Sequence, residues 1–555
     1  VGALAARERL GQKPPVPQDQ GRVCLIGLDG ATWDLLEPWA RAGRLPNLAA
    51  LMERGAWGTL RSTVPALTLP SWSSLMTGKN PGGHGVFSFW RLDPGRYEMT
   101  GLANASDLRS ATLWDLAGRA GKRVGVVNVP PSYPLRPVNG FVVGCMLTPP
   151  GQPIADPPEV AEALGPDYVI DLKAPRGLRA DPSTYRTRSL GFLEALAKLE
   201  RDRAASTETL VQRWPVDLLA VVFYAPDRVQ HNFWDQLDDG PPRDADDAAI
   251  REAARAVYAA LDDAIGQVVR AAGPDATVIL ASDHGFVPRP RRSVRINRWL
   301  ADHGFLAERS LWALRRKLVR KVMPSGWRER YDTLDFIQLN RPRTQAWADT
   351  IDYGTAAIWI HATDRYPLGC VTPAQYDDVR ERIRTGLAAL RDEQGAPVFE
   401  RVERREDIYR GPWVSQAPDL VAVCTPAFGV VNQSLRRDLR ERALFGPFEE
   451  AGFTGTHDTA GMYLMAGPPI AARGRQAELP IESIAPTALH LLGLPVPRSL
   501  DGPVATALLD PEALRTRPVA YDDEDTTGSG APAGWGSDED ESQVADHLRA
   551  LGYLE

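Results

Sequence analysis

Short, unbroken apolar runs recur along the chain, each stopping at a turn or a polar residue. Residues 23–28 (VCLIGL) end at Asp29-Gly30, and residues 123–129, 141–145, 217–224 and 276–281 follow the same form. Runs of this length without alternation predict strands buried on both faces. Between several of them the apolar positions fall at helical spacing, as over Pro46–Arg54, with Pro at its start and Gly55 after its end. Strands alternating with helices argue for an α/β fold, a mainly parallel sheet sandwiched by helices.

That alternation is interrupted between residues 297 and 446, where a basic helix-like segment precedes a strand-like AAIWIH. The expected organisation is an N-terminal extension over 1–20 and a first core segment over 21–296, with a loose excursion at 147–205. A smaller inserted cap domain follows at 297–446, then a second core segment at 447–510. Residues 511–555 are expected to be an acidic, flexible tail with a short helix at 543–551. Residues 309–323 (RSLWALRRKLVRKVM) carry six basic and no acidic residues beside a stripe of Leu311, Leu314, Leu318 and Val322. This reads as a cap helix with a solvated basic face.

Length and charge narrow the function. A chain of 555 residues, 43% of them hydrophobic, can bury a large core. The net charge of -7 comes from eight acids at 522–525 and 538–541, which leaves the remainder near +1. Binding a nucleic-acid polymer through bulk charge is therefore not indicated. Cys24, Cys145, Cys370 and Cys424 lie in apolar stretches without CxxC spacing, so neither a disulfide framework nor a thiolate metal site is expected. No apolar run reaches the roughly 18 to 20 residues of a membrane span, and no signal-peptide core heads the chain. A cytoplasmic location is expected, with a periplasmic or secreted one left open because the chain begins at Val. Oligomeric state is not readable.

In open parallel sheets ligands bind beyond the carboxyl ends of the strands, so the residues just after each run carry the information. Asp29 follows the first run, Asp227 and His231 follow LLAVVFY, the pair Asp283-His284 follows ATVILAS, and His457 stands near the return to the core. Residues four apart, such as Asp227 and His231, share one helix face and can close on one ion. Imidazole with carboxylate suits zinc, and the carboxylate share leaves manganese or magnesium open. The segment VPALTLPSWSSLMTGKNPGGHG adds a nucleophile candidate, Thr68, at the start of a helix running to Thr77. Backbone N–H groups and the positive end of the helix dipole favour an alkoxide and a phosphate there.

These elements, in this order, resemble the type I phosphodiesterase/nucleotide pyrophosphatase branch of the alkaline phosphatase superfamily. The matching motifs are GLDGATWD at Asp29, the T-x-P block at Thr68 leading into TGxNPGxHG, D-x-x-x-H at Asp227, SDHG at Asp283 and G-T-H at His457. The resemblance implies two divalent cations. One would be held by Asp227, His231 and His457, the other by Asp29, Asp283, His284 and the Thr68 oxygen. It implies in-line attack by Thr68 on phosphorus, giving a phosphothreonine that water then cleaves. Ser71, Trp72 and Gly30 are the candidate substrate contacts, Ser71 standing where eukaryotic-type relatives carry Asn. Thr68 cannot become formylglycine, which sets ordinary sulfatases aside.

The expected substrate is a small phosphate ester, with diesters (nucleotide-, lipid- or sugar-linked) placed first because no arginine is assignable to a monoester dianion. The alternatives are a phosphomonoesterase, a phosphotransferase or mutase of the same superfamily, and a non-catalytic metal-stabilised binding protein. His84, in the Gly-rich PGGHG turn, is expected to brace its loop, and His303, His361, His490 and His547 to serve structure or surface. No G-x-S-x-G elbow supports a serine triad, and GLDG is not a dinucleotide fingerprint.

Overall fold

A computed structural model describes residues 21–93, 98–175, 177–237, 240–307, 340–430, 443–448, 452–524, 526–528 and 535–551. The expected basic helix at 309–323 lies outside the described residues. The core is a ten-stranded sheet among the described residues. Its centre is β1 (Arg22–Leu28), with β2 at Gly55–Arg61 toward one edge. The helix α1 (Thr68–Thr77) follows, then β3 (Val124–Val127) and β4 (Gly140–Val143). Next come α2 (Pro182–Arg213), β5 (Leu218–Phe223), α3 (Ala225–Phe233), α4 (Ala245–Ala272), β6 (Ala276–Ala281) and β7 (Gly285–Pro288).

In the sheet, β1 lies between β5 and β6 and is parallel to both, with Val23 opposite Leu218 and Arg22 opposite Ala276. Strand β3 is parallel to β5 and β4. Along β1, Val23 and Leu25 enter one hydrophobic core while Cys24, Ile26 and Leu28 enter the other. Both faces are covered by helices, which is why these strands read as continuous apolar runs. The run expected over 123–129 keeps regular strand geometry only to Val127, because Asn128 turns to φ 57.

Within 297–446, expected as an inserted cap, the described residues build their own antiparallel sheet. Strands β8 (Ala346–Asp352), β9 (Thr355–Ile360), β10 (Phe399–Arg404) and β11 (Leu420–Cys424) pair in the order β8-β9-β11-β10. The helix α5 (Pro373–Ala388) packs on this sheet, and Trp347, Ile358, Ile360, Ile383 and Leu420 share a separate core. The chain then returns through β12 (Gly455–Asp458), antiparallel to β7, and β13 (Ala460–Ala466), which fits antiparallel between β2 and β6.

Two segments depart from expectation. The stretch at 147–205, read as a loose excursion, ends in the 32-residue α2, started by Asp181 capping Ser183 N and by Pro182. Its polar first turns hide the stripe of Phe192, Leu193, Leu196 and Leu199 that is buried. The acidic tail, read as flexible, folds back on the core in its described part. Tyr521–Asp522 pairs with Val496–Pro497, Trp535 donates to the Leu102 carbonyl at 3.1 Å, and the Glu541 carboxylate accepts from Leu102 N. The terminal helix α6 (Asp538–Leu551) buries Val544 and Leu548.

Candidate active site

Strand ends bring the polar residues together. Asp29 leaves β1 with its N–H bonded to the Phe223 carbonyl of β5. The next residue, Gly30, takes φ 67, a conformation open to glycine at little cost. Its N–H donates to Asp283 Oδ1 at 3.0 Å, tying the turn after β1 to the turn after β6. Asp227 and His231 lie one turn apart on α3, and His457 sits on β12, whose pairing with β7 places it opposite Phe286. The Ser62 hydroxyl, just past β2, holds the Asp283 carbonyl.

The distances define one compact cluster. His284 Nε2 lies 3.3 Å from Asp283 Oδ2, 3.7 Å from Asp29 Oδ1 and 3.3 Å from Thr68 Oγ1. His231 Nε2 and His457 Nε2 are 3.0 Å apart, and each is 3.4 Å from Asp227 Oδ1. Ligand-type atoms of Asp29, Asp283 and His284, and of Asp227, His284 and His457, lie within 4.8 Å of one another in each set. His284 thus stands between the two groups. Its Nδ1 faces the Gly285 carbonyl at 3.1 Å, which directs the Nε2 lone pair into the cluster when Nδ1 carries the proton.

The electrostatics of this cluster fit divalent cations. Asp29 Oδ1, Asp227 Oδ1 and Asp283 Oδ2 are buried and accept no hydrogen bond among the described residues. Burial pushes Asp29 well above the usual carboxylate range, and the Asp283 and Asp227 charges push the same way. Burial likewise raises Asp283, with Asp227 adding to the shift. Asp227 goes the other way: burial would raise it, but His231, His457 and Arg228 together hold it well below that range. His284 and His457 are lowered, chiefly by burial, and so stay neutral with a lone pair to offer. Neutral imidazoles around carboxylates with undonated oxygens are the donor set for zinc or a harder divalent ion.

Thr68 opens α1, and every residue of that helix is buried. Leu67 at the cap position gives no side-chain bond, so the first N–H groups of the helix are left for a ligand beside Thr68 Oγ1. Ser71, Trp72 and Gly30, expected as substrate contacts, are turned into protein instead. The Ser71 hydroxyl meets Ser62 Oγ at 3.0 Å and Thr63 Oγ1 at 2.8 Å, bracing the end of β2. Trp72 is fully buried, its indole N–H donating to Asp29 Oδ2 at 3.3 Å. One helical turn after Thr68, it faces the sheet rather than solvent. The Gly30 N–H is spent on Asp283.

The ring of Trp72 also explains Gly27, where an added Cβ would lie 2.3 Å from the indole and 2.8 Å from Val222 Cγ2. Gly27→Ala is expected to cost about 1–3 kcal/mol by overpacking. It should also weaken metal retention by moving the indole off Asp29. Denaturant unfolding paired with metal analysis checks both.

His84 braces its turn as expected, with Nε2 2.9 Å from Ser74 Oγ and Nδ1 accepting from Val86 N. Burial, with the Lys79 charge adding to it, holds its pKa down to about 3 from an ordinary 6.5. The unfolded chain therefore takes up this proton near 6.5 and the folded chain does not. The stability present above pH 6.5 is lost as pH falls toward 3, by at most about 1.4 kcal/mol per pH unit. Urea unfolding between pH 7 and 4.5 should show a shallower slope for His84→Gln.

Several further residues stand at the site. Gln230 donates to the Gly30 carbonyl at 2.8 Å, and Arg228 pairs with Asp227. Phe286 and Phe453 flank the His231 ring at centroid distances of 4.8 and 5.2 Å. Their roles depend on contacts across the fold: Arg228 and Gln230 stand inside D-x-x-x-H and Phe286 directly follows SDHG, where the motif positions themselves draw the attention.

Among solved structures, the chain is similar to phosphonoacetate hydrolase from Sinorhizobium meliloti in complex with phosphonoformate. That match has a TM-score of 0.54 at 18% identity and covers 86% of this chain and 97% of that one. It is also similar to an inactive murine ectonucleotide pyrophosphatase/phosphodiesterase 5 in complex with AMP, with a TM-score of 0.50 at 14% identity, covering 88% of this chain and all of that one. At such identities the likeness is one of fold. The sequence family described as type I phosphodiesterase / nucleotide pyrophosphatase matches residues 23–459, most of the chain. The chain belongs to that family and is a metal-dependent phosphoester hydrolase of the alkaline phosphatase superfamily.

Proposed function

We propose that the chain hydrolyses small phosphodiesters through Thr68, with two divalent cations, zinc first, held by Asp227, His231 and His457 and by Asp29, Asp283, His284 and Thr68. The observation that carries this reading is the convergence of three undonated carboxylate oxygens and neutral imidazoles beside Thr68 Oγ1 at a helix start. When bound, the cations neutralise charge on the phosphoryl oxygens and make the hydroxyl more acidic.

The protein's own groups do the rest. Oγ1 of Thr68 forms the bond to phosphorus as the bond to the leaving oxygen breaks on the opposite side, and the proton lost from the hydroxyl ends on the departing alcohol. The start of α1 favours the negative charge that develops there. Water then cleaves the Oγ1–phosphorus bond and restores the hydroxyl. Burial of the cluster excludes bulk water and strengthens each of these interactions.

Diesters are favoured because Arg228, the buried guanidinium touching the cluster, is taken by two carboxylates. A monoester brings a second negative charge, and Arg228 is already engaged by Asp171 and Asp227. The four cysteines are unpaired, which suits a reducing compartment and supports the cytoplasm as the proposed location. No helix among the described residues is long and apolar enough to cross a membrane.

The test is metal content by mass spectrometry, with turnover of bis-p-nitrophenyl phosphate against p-nitrophenyl phosphate. Two zinc ions per chain with faster diester turnover are expected. Faster monoester turnover would move the chain to the phosphomonoesterase alternative.

A further inference from the structure

Arg228 immediately follows the proposed ligand Asp227 and is itself fully buried. Its guanidinium spans two carboxylates. One of its terminal nitrogens pairs with Asp227 Oδ2, and the other lies 2.5 Å from Asp171 Oδ2. Asp171 is anchored in turn, its Oδ1 accepting from Leu172 N at 2.8 Å. His547 of the terminal helix stands 4.0 Å from the same carboxylate, so the tail closes the outer end of this row of charges. On its inner side the guanidinium lies over the Tyr224 ring, 5.7 Å from the centroid.

One carboxylate would balance the charge of the buried guanidinium, and here two share its donors. The consequence is directional. With Oδ2 of Asp227 taken by Arg228, Oδ1 is the oxygen that faces His231 Nε2 and His457 Nε2, at 3.4 Å from each, and it accepts no hydrogen bond. The carboxylate cannot rotate without breaking a charge-assisted bond in a dry setting, where such bonds are strong. The planar, forked guanidinium reaches both carboxylates at once, which the point charge of a lysine does not.

The geometry points to Arg228, held by Asp171, as the positioning residue for Asp227: it selects Oδ1 as the single oxygen offered to the ion at Asp227, His231 and His457. This rests on the metal assignment above and adds a residue pair that touches neither substrate nor ion. Outer partners of this kind typically change metal affinity by about 10- to 100-fold.

The experiment is a zinc titration of the full chain against a chromophoric chelator, run on the wild type, Arg228→Lys and Asp171→Asn, with cobalt absorption spectra of each. Circular dichroism establishes that each variant is folded. Arg228→Lys keeps the charge and loses the fork, while Asp171→Asn keeps the arginine and loses its anchor. Both are expected to bind one of the two zinc ions about 10- to 100-fold more weakly, with the other ion unchanged and an altered cobalt spectrum. If lysine restores wild-type affinity and spectrum, the arginine serves only as buried charge and the inference fails. If Arg228→Lys does not fold, Asp171→Asn decides alone, and wild-type affinity there overturns it. A wild-type chain that takes up no zinc would contradict the metal assignment and this inference together. Two ions in the wild type with unchanged variants would contradict the inference only.

Discussion

Replacing Thr68 with alanine should lower kcat on the order of 10⁴-fold while the fold and both ions are retained. The side chain lost is small and buried, so the packing cost is slight. Thr68 Oγ1 is nonetheless the hydroxyl 3.3 Å from His284 Nε2 at the start of α1. Ser71 is nearest in sequence, but its oxygen is committed to Ser62 and Thr63. It cannot take over the attack without dismantling the end of β2. Thr68→Ser keeps the oxygen and should retain measurable turnover, so the pair separates loss of the nucleophile from loss of packing. Steady-state kinetics on a chromogenic diester with parallel metal analysis reads both.

Removing the ions should have the second largest effect. Chelation is expected to abolish turnover and to lower thermal stability, both recovered on adding zinc. The stability change follows from linkage: an ion present at a thousand times its dissociation constant contributes about 4 kcal/mol that vanishes with it. The structure adds a reason. Without cations, Asp29, Asp283 and Asp227 face one another in a buried site, where burial first and the neighbouring carboxylate charges second push Asp29 and Asp283 upward. Calorimetric scans with and without chelator, at fixed pH, measure this directly. A chelated chain that melts at the same temperature as the loaded one would mean the cluster holds no ion.

Much of this site was legible because its chemistry sits where local sequence is most informative. The apolar run before Asp29 and the run before Asp283 mark strand ends, and strand ends in a parallel sheet face one side. The i, i+4 pair Asp227 and His231 marks a helix face. What stayed hidden depends on partners distant in the chain. Trp72 reads as a site aromatic until the sheet behind it, opened by Gly27, is seen to receive its ring. Arg228 reads as one more surface charge until Asp171 and the terminal helix bury it. The tail looks unstructured because its composition is acidic, yet Trp535, Val544 and Leu548 give it enough apolar surface to dock. Helix α2 is hidden for a related reason, since its first turns are polar and its buried stripe begins only at Ser189.

The central claim is that Thr68 itself carries the phosphoryl group during turnover. The measurement that tests it most directly is peptide mapping by mass spectrometry after acid quench of the metal-loaded enzyme turning over a diester. A single phosphoryl group, still carrying the non-leaving ester substituent of the diester, on the peptide containing Thr68 and absent from Thr68→Ala, is the predicted result. Full turnover with that peptide unmodified, or with the group on another residue, would contradict it.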